Sequence, residues 1–228
     1  MILYAIPTPL GGAAADALPP GALQTVRSLK DFAVENAKSA RAFLKDAGCQ
    51  PRDLSIVEIG DETEILLKPL REGRPLGLLS EAGCPAIADP GAKLVEAAHR
   101  EGFRVVPLIG PSSITLALMA SGLEGQRFAF CGYLPREAAE RKQRIQELEE
   151  RSRREHETEI FIETPYRNET LLEALLSSCS ASTLLCVAAD LTLPGETITT
   201  KTVGQWRRQA APVGRRPAIY LLLANPDR

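Results

Sequence analysis

The first half of the chain alternates short apolar runs with longer amphipathic stretches. This alternation is typical of β–α units around a largely parallel sheet. Runs rich in Val, Ile and Leu predict strands at Leu3–Ile6, Asp31–Val34, Leu54–Glu58, Gly77–Ser80 and Arg104–Leu108. Helical spacing of apolar positions predicts helices at Ala22–Leu29, Ala37–Asp46, Glu62–Arg71, Lys93–Arg100 and Ser112–Ser121.

The second half is less regular and predicts a mixed sheet with antiparallel members. Its apolar runs predict strands at Arg127–Gly132, Glu159–Glu163, Thr183–Asp190, Thr197–Thr202 and Ala218–Leu223, the fourth of them hairpin-like. We therefore predict an α/β protein with an N-terminal domain, residues 1–113, and a C-terminal domain, residues 114–228.

Two predicted helices have unusual composition. The segment Arg136–Glu159 is densely charged, which predicts an exposed helix on the surface. The helix Ser112–Ser121 is apolar nearly all round, which predicts burial between the two halves, with Met119 in the core.

The composition is typical of a globular protein, and it argues against a membrane-spanning protein and against one that coats nucleic acid. The 228 residues are 44% hydrophobic and 25% charged, with a formal charge of −2. No apolar run approaches the roughly 20 residues that a membrane-spanning helix needs. The five cysteines form no CxxC pair, so we expect a reducing cytoplasm. The near-neutral charge argues against a generally basic nucleic-acid-coating protein but permits a local positive patch.

Common nucleotide and metal motifs do not occur in the sequence. Neither GxGxxG nor GxxxxGK[ST] is present, and His99 and His156 lie in no metal-binding spacing. Zinc hydrolysis and a Ser-His triad therefore have little support, and we expect no metal site.

Three Gly- and Pro-rich bends follow predicted strands, at Pro7–Gly12, Ser80–Gly91 and Gly110–Ser113. In open α/β sheets, ligands bind beyond the carboxyl ends of the strands. The bend Ser80–Gly91 has small side chains and no Lys or Arg, which suits a cationic ligand such as S-adenosylmethionine. Helix capping is an alternative role for Asp89, because Pro90 follows it.

The order and spacing of several motifs resemble the tetrapyrrole (corrin/porphyrin) methylase superfamily. Within it the chain is most similar to the ribose 2′-O-methyltransferases of small-subunit ribosomal RNA. The motifs are Pro7-Thr8-Pro9-Leu10-Gly11, Ser80 to Gly91, Pro107 to Ser113, Gly132-Tyr133-Leu134-Pro135-Arg136, Glu163-Thr164-Pro165-Tyr166-Arg167 and Arg216-Pro217-Ala218.

The resemblance implies a two-domain fold, a mostly parallel Rossmann-like sheet followed by a mixed sheet, with the cofactor in a cleft between the domains. It also implies a homodimer and S-adenosylmethionine as cofactor. The implied cofactor contacts are Pro9, Ile87, Ala88, Asp89, Ser112, Ser113, Thr164, Leu191, Pro217 and Ala218. The implied substrate contacts are Pro135, Arg136, Tyr166 and Arg167.

The chain departs from the ribosomal branch at substrate motifs more than at cofactor motifs. The branch's Glu-Ser-Pro-His-Arg is Glu163-Thr164-Pro165-Tyr166-Arg167 here, and its Arg-Glu-Leu-Thr-Lys is Ala189-Asp190-Leu191-Thr192-Leu193. After the second strand, Asn36 stands where an acidic residue is expected. These departures favour methyl transfer more strongly than they favour ribosomal RNA as the acceptor.

A hydroxyl acceptor must lose its proton, and four carboxylates could accept it or orient the hydroxyl. They are Glu163, Glu35, Glu81 and Asp190, each of which could instead be a solvated or capping acid. Glu163 is preferred, because it ends a strand and the family motif places an acid there. The arginines of the charged segment could contact phosphate, or could pair with its glutamates.

Three functional hypotheses remain open at this point. The first is an S-adenosylmethionine-dependent methyltransferase acting on ribosomal RNA, or on a corrin- or porphyrin-like small molecule. The second is another α/β enzyme whose bends hold a phosphate or nucleotide. The third is a dimeric relative that binds the cofactor without catalysis.

Overall fold

Each half of the chain builds its own five-stranded sheet. The computed structural model describes residues 1–60, 63–209 and 211–224. It divides the chain into two compact units, Met1–Ser112 (the first unit) and Ser113–Arg228 (the second unit). The α/β fold class is confirmed, as are the parallel first sheet and the mixed second sheet.

The first unit is an α/β sandwich around a wholly parallel sheet of order β3-β2-β4-β1-β5. Its strands are β1 (Ile2–Ile6), β2 (Asp31–Val34), β3 (Ser55–Glu58), β4 (Leu76–Leu79) and β5 (Arg104–Pro107). Its helices are α1 (Ala14–Ala17), α2 (Pro20–Ser28), α3 (Ala37–Asp46), α4 (Thr63–Leu66), α5 (Lys68–Arg71) and α6 (Ala92–Arg100).

Both faces of this sheet are covered, and β2 shows how. Phe32 and Val34 pack into one core with residues of α1, α2 and α3. Ala33, which lies between them in the strand, belongs to the opposite core with residues of α4, α5 and α6. Successive strand residues point to opposite faces, so a strand covered on both sides becomes a continuous apolar run. This explains why short apolar runs identified these strands.

The second unit has the sheet order β6-β7-β10-β8-β9. Its strands are β6 (Phe128–Tyr133), β7 (Thr158–Glu163), β8 (Leu184–Ala189), β9 (Thr197–Thr202) and β10 (Ala218–Leu223). Its helices are α7 (Ser113–Ser121), α8 (Ala138–Glu155), α9 (Asn168–Ser178) and α10 (Val203–Arg208). β6 and β7 are parallel, whereas the pairs β7–β10, β10–β8 and β8–β9 are antiparallel.

A mainly aliphatic core that includes Phe161, Trp206 and Tyr220 fills the space between this sheet and α8, α9 and α10. Phe161 and Tyr220 stack with ring centroids 6.0 Å apart. The buried Trp206 of α10 donates from Nε1 to the Leu185 carbonyl oxygen at 2.9 Å. The hydrogen bond of the Trp206 indole fixes α10 on the sheet, and the stacked rings join the neighbouring strands β7 and β10.

The predicted elements match the structure closely, with one broken helix. The bounds of β2, α3, β9 and β10 are as predicted. The predicted single helix Glu62–Arg71 is wrong over its described part, which forms the separate helices α4 and α5; Glu62 lies outside the described residues. Pro69 lies in the first turn of α5, and a proline has no N–H to continue the hydrogen bonding of the preceding helix.

The two helices of unusual composition differ in outcome. α8 lies on the surface, as predicted, with one face exposed and the other face burying residues that include Ile145, Leu148 and Glu149. The prediction that α7 is buried is wrong, because the helix is only partly buried. Met119, which was predicted to lie in the core, is 79% exposed. The helices α1, α9 and α10 were not predicted. In the described part of the chain, no helix is both long and apolar enough to span a bilayer.

Candidate active site

The bends after β1 and β4 are joined directly by backbone hydrogen bonds. Thr8 and Gly83 form an antiparallel bridge, with N–O distances of 2.9 and 3.0 Å. The Thr8 hydroxyl also donates to the Ser80 carbonyl oxygen at 3.4 Å. Since β1 and β4 are parallel neighbours, both bends start at the same edge of the sheet.

The bend after β5 closes against the other two through glycine. A Cβ on Gly110 would lie 2.5 Å from Pro7 Cβ, so only glycine fits this approach. The Cys84 thiol lies 3.4 Å from the Pro111 carbonyl oxygen. The structure therefore brings together the three bends that the sequence singled out.

The bend Ser80–Gly91 holds a strained backbone. Ala86 and Ala88 have φ values of 67° and 65°, in the left-handed region that alanine disfavours. Gly91, with φ of 130°, is the N-cap of α6, which begins at Ala92. The capping role considered for Asp89 is therefore wrong, and Asp89 is left for other contacts.

Three carboxylates gather at this edge of the first unit. A Glu35 side-chain oxygen accepts a hydrogen bond from the Glu81 backbone N–H at 3.0 Å. Burial raises the pKa of Asp89 to about 6, with the negative charges of Glu35 and Glu81 acting in the same direction; a hydrogen bond with Ser80 offsets part of this. A cation bound here would relieve this repulsion.

Five implied cofactor contacts belong to the first unit. Pro9 directly follows the Thr8–Gly83 bridge, and Ile87, Ala88 and Asp89 lie on the strained bend. Ile87 is 49% exposed, so its side chain is accessible to a ligand. Ser112 ends the unit. They share the carboxyl edge of the parallel sheet with the carboxylates.

The other implied cofactor contacts lie in the second unit, where most of them share one edge of the mixed sheet. Ala218, which begins β10, pairs with Glu163 at the end of β7 and with Ala189 at the end of β8. Thr164, Leu191 and Pro217 therefore lie at that same edge. Ser113 is the first residue of α7.

Glu163, the preferred catalytic residue, is buried, and each of its two side-chain oxygens accepts a hydrogen bond. One side-chain oxygen accepts from the Thr164 backbone N–H at 2.7 Å. The other accepts from the Arg167 guanidinium in an ion pair. The carboxylate thus orients Thr164 and Arg167.

The turn after β8 is also held in an unusual conformation. Asp190 and Thr192 have φ values of 52° and 71°. The Asp190 carboxylate lies 3.4 Å from the Arg216 guanidinium, which also donates to Gly195 and Thr197. Arg216 therefore ties the turn around Leu191 to the start of β10.

The implied substrate contacts extend along the same edge. Because β6 runs parallel to β7, the two strands end at the same edge, and the segment after β6 begins there. In that segment Pro135 is half-buried and Arg136 is exposed. The buried Arg141 guanidinium donates to both of their carbonyl oxygens, at 3.4 and 2.7 Å. Tyr166 is 79% exposed.

Two residues that sequence reasoning missed complete this edge. Asn168 is fully buried, and its amide donates to the carbonyl oxygens of Gly214 and Arg216 at 2.9 and 2.8 Å. The Arg215 guanidinium lies 5.3 Å from the centroid of the Tyr166 ring. Asn168 directly follows the Tyr166-Arg167 motif and Arg215 directly precedes Arg216, and that adjacency is the signal that could have drawn attention to them.

The charged face of α8 pairs internally. Arg144 pairs with Glu147, and Arg153 with Glu150. Arg151 reaches back to Glu159 of β7. This supports the pairing alternative over a phosphate-binding role for these arginines. Among the residues that the structure describes, no three His, Cys, Asp or Glu side chains are grouped to hold a metal ion.

Comparison with known proteins identifies a family of methylases that matches most of this chain. The family model for Tetrapyrrole (Corrin/Porphyrin) Methylases matches residues 3–206. Ribosomal RNA small subunit methyltransferase I of Escherichia coli O157:H7 is 33% identical over 205 residues, which are 89% of this chain and 70% of the relative. The protein of that name from Xylella fastidiosa is 33% identical over 211 residues, 92% of this chain and 75% of the relative.

Solved structures of low identity share the fold. Uroporphyrin-III-C-methyltransferase from Thermus thermophilus has a TM-score of 0.58 at 21% identity, covering 97% of this chain and 94% of the other. A cobalt precorrin-4 methyltransferase has a TM-score of 0.61 at 15% identity, with the same coverage. The family match and the curated relatives together show that this chain is a methyltransferase and belongs to the tetrapyrrole (corrin/porphyrin) methylases.

Proposed function

We propose that this methyltransferase takes its methyl group from S-adenosylmethionine and transfers it to a ribose 2′-hydroxyl of ribosomal RNA. The main support for this cofactor is that three bends rich in small residues meet beside Glu35, Glu81 and Asp89. The curated relatives named as ribosomal RNA methyltransferases support the acceptor. An acceptor of this kind implies action in the cytoplasm.

The residues of the first unit fit an adenosyl sulfonium. S-Adenosylmethionine supplies a methyl group on a positively charged sulfur, from which a nucleophile displaces it directly. The small side chains of Ala86 and Ala88 allow a ligand to approach the bend closely, while the nearby carboxylates stabilise a positive charge. The second-unit contacts Ser113, Thr164, Leu191, Pro217 and Ala218 stay predictions.

The protein's main contribution to the transfer is to hold the acceptor oxygen in line with the methyl group. Attack distances of roughly 3–3.5 Å remove most of the entropic barrier of a bimolecular step. We propose that Glu163 acts by fixing Thr164 and Arg167, since both its oxygens are engaged. Glu35 and Glu81 remain the proposed groups for accepting or orienting the hydroxyl proton.

The test has a binding step and a transfer step. We expect S-adenosylmethionine and S-adenosylhomocysteine to raise the melting temperature, and NAD and ATP to leave it unchanged, because only a ligand of the native state stabilises it. Labelled methyl groups should then appear in small-subunit ribosomal RNA, at a 2′-oxygen by mass spectrometry. Transfer to a porphyrin-like macrocycle instead, or binding without transfer, would contradict the proposed acceptor.

We further propose that the protein is a homodimer. Its support is the apolar helix α7, on which Met119 is 79% exposed. Large apolar side chains that are this exposed on an apolar helix are typical of a protein interface.

A further inference from the structure

An exposed tyrosine ring lies against a guanidinium at the edge of the second sheet. Tyr166 is 79% exposed, although a large aromatic side chain gains free energy by burial. It lies in a short 3-10 turn, Pro165–Arg167, which is separated from the end of β7 by Thr164. The Arg215 guanidinium is 5.3 Å from its ring centroid, within the range of a cation–π interaction.

The two segments that carry this pair are fixed to each other. Buried Asn168 follows the tyrosine turn directly and donates to the carbonyl oxygens on both sides of Arg215, those of Gly214 and Arg216. A Glu169 side-chain oxygen accepts from the Gly214 N–H at 2.7 Å. These hydrogen bonds hold the backbone of Tyr166 and Arg215 in place before a ligand binds, which lowers the entropic cost of binding.

Arg215 also differs from the cations beside it. Arg167 is paired with Glu163, and Arg216 with Asp190. Among the side chains that the structure describes, no carboxylate lies within ion-pair distance of Arg215, which is itself exposed. Its positive charge is therefore available to an anionic ligand.

A second cation–π pair in the same unit shows what a purely structural pair looks like. Lys201 lies 5.2 Å from the Trp206 ring centroid. Trp206, however, is only 4% exposed and its N–H is bonded to Leu185. The Tyr166 ring has no such burial, so packing within the chain does not account for its position.

We propose that Tyr166 and Arg215 form a stacking platform for one unpaired nucleobase of the acceptor RNA. The base stacks on the Tyr166 ring, and the Arg215 guanidinium holds the ring in place and contacts the phosphate next to that base. Proteins recognise single-stranded RNA in this way, with aromatic and arginine side chains against splayed bases. This inference rests on the RNA acceptor proposed above, and it adds Arg215 and a chemical role for Tyr166.

The test uses a short single-stranded oligoribonucleotide containing 2-aminopurine, whose fluorescence is quenched on stacking. Tyr166→Phe should bind within about twofold of wild type, whereas Tyr166→Leu should bind about 5- to 100-fold more weakly and lose the quenching. Arg215→Gln should weaken binding and reduce the salt slope by about 0.7, the value for one single-strand phosphate.

Matched controls are Phe128→Leu, which removes another exposed aromatic ring of the second unit, and Arg208→Gln, which removes another exposed guanidinium. Both should bind the oligoribonucleotide as wild type does. Unchanged affinity and quenching in Tyr166→Leu would overturn the inference, as would loss of porphyrin binding by this variant with RNA binding intact.

Cofactor binding separates failure of this inference from failure of the proposed function. Tyr166→Leu and Arg215→Gln should bind S-adenosylmethionine with wild-type affinity by calorimetry, and circular dichroism should confirm that they are folded. If wild type transfers methyl groups to RNA while Tyr166→Leu retains full RNA affinity, only the platform is wrong. If wild type binds RNA through Tyr166 but binds no S-adenosylmethionine, only the proposed donor is wrong.

Discussion

Asp89 carries a carboxylate whose ionised form is disfavoured by its surroundings. Its pKa is raised from 3.8 to about 6, first by burial and then by the charges of Glu35 and Glu81. Between these two pH values the folded chain binds the proton more tightly than the unfolded chain does. The protonated Asp89 carboxyl therefore contributes to the free energy of unfolding at low pH, and this contribution is lost as the pH rises from about 4 through about 6.

Asp89→Asn removes this titration. We expect the free energy of unfolding in urea to rise at pH 7 by on the order of 1 kcal/mol, since solvent screens part of the repulsion, and to be nearly unchanged at pH 4. S-Adenosylmethionine should bind about tenfold more weakly, because the sulfonium loses a carboxylate. Asp53→Asn, on the exposed 3-10 turn Pro51–Asp53, serves as control. An equal effect at both pH values would refute the titration of Asp89.

Asn168 is a buried polar residue with several partners. Besides the carbonyl oxygens of Gly214 and Arg216, its side-chain oxygen accepts from the Tyr220 hydroxyl at 3.2 Å. Asn168→Ala should lower the free energy of unfolding by about 2–4 kcal/mol, because these buried groups lose their partners.

Asn36→Ala is the comparison for Asn168→Ala. Asn36 is the exposed N-cap of α3, and its side chain accepts from Lys38 and Ser39. Its loss should cost about 1 kcal/mol. Urea unfolding of the two variants measures the difference, and a smaller loss in Asn168→Ala than in Asn36→Ala would show that the buried amide does not hold this edge.

At the scale of elements, the approach of three bends depends on glycine. A Cβ at Gly110 would clash with Pro7 and with Leu18, at 2.5 and 2.8 Å. Gly110→Ala should therefore displace the bend after β5, lower the free energy of unfolding by about 1–3 kcal/mol and weaken S-adenosylmethionine binding.

Gly21→Ala is the matched control for this substitution. Gly21 lies in α2, and a Cβ there meets nothing within 4 Å. Alanine in a helix is favoured over glycine, so this variant should gain about 0.5–1 kcal/mol and keep its cofactor affinity. Thermal unfolding with and without the cofactor checks both variants. Unimpaired binding by Gly110→Ala would separate the cofactor site from this bend.

α8 lies on the surface as predicted, but the sequence did not indicate which of its charged residues are buried. Glu149 is buried, and one of its side-chain oxygens accepts hydrogen bonds from Ser180 and Thr183. A buried carboxylate is tolerated when hydrogen bonds satisfy it. The partners lie 31 and 34 residues away, so local spacing in the sequence contains no sign of them.

At the scale of the whole molecule, the proposed homodimer uses α7 as its interface, and this can be tested at Met119. Met119→Lys should convert the proposed homodimer to a monomer, because a charge on an apolar interface loses its hydration. Analytical ultracentrifugation at micromolar concentration measures the change. Ile65→Lys, at an apolar residue of the first unit that is 62% exposed, should leave the dimer intact. A wild-type protein that sediments as a monomer would contradict the proposal.

The sequence by itself determined the fold class, the ten strands that the structure describes, the family and the bends that meet at the parallel sheet. These follow from local periodicity and from parallel β–α order, which places successive strand ends at one edge. Tertiary structure alone decided that Gly91, not Asp89, caps α6, that Glu163 is engaged by Arg167, and that Asn168 joins Tyr166 to Arg215. Each of these outcomes depends on which competing partner is nearest in space, and a contact such as that of Asn168 with Arg216, 48 residues apart, exists only after the sheet has formed.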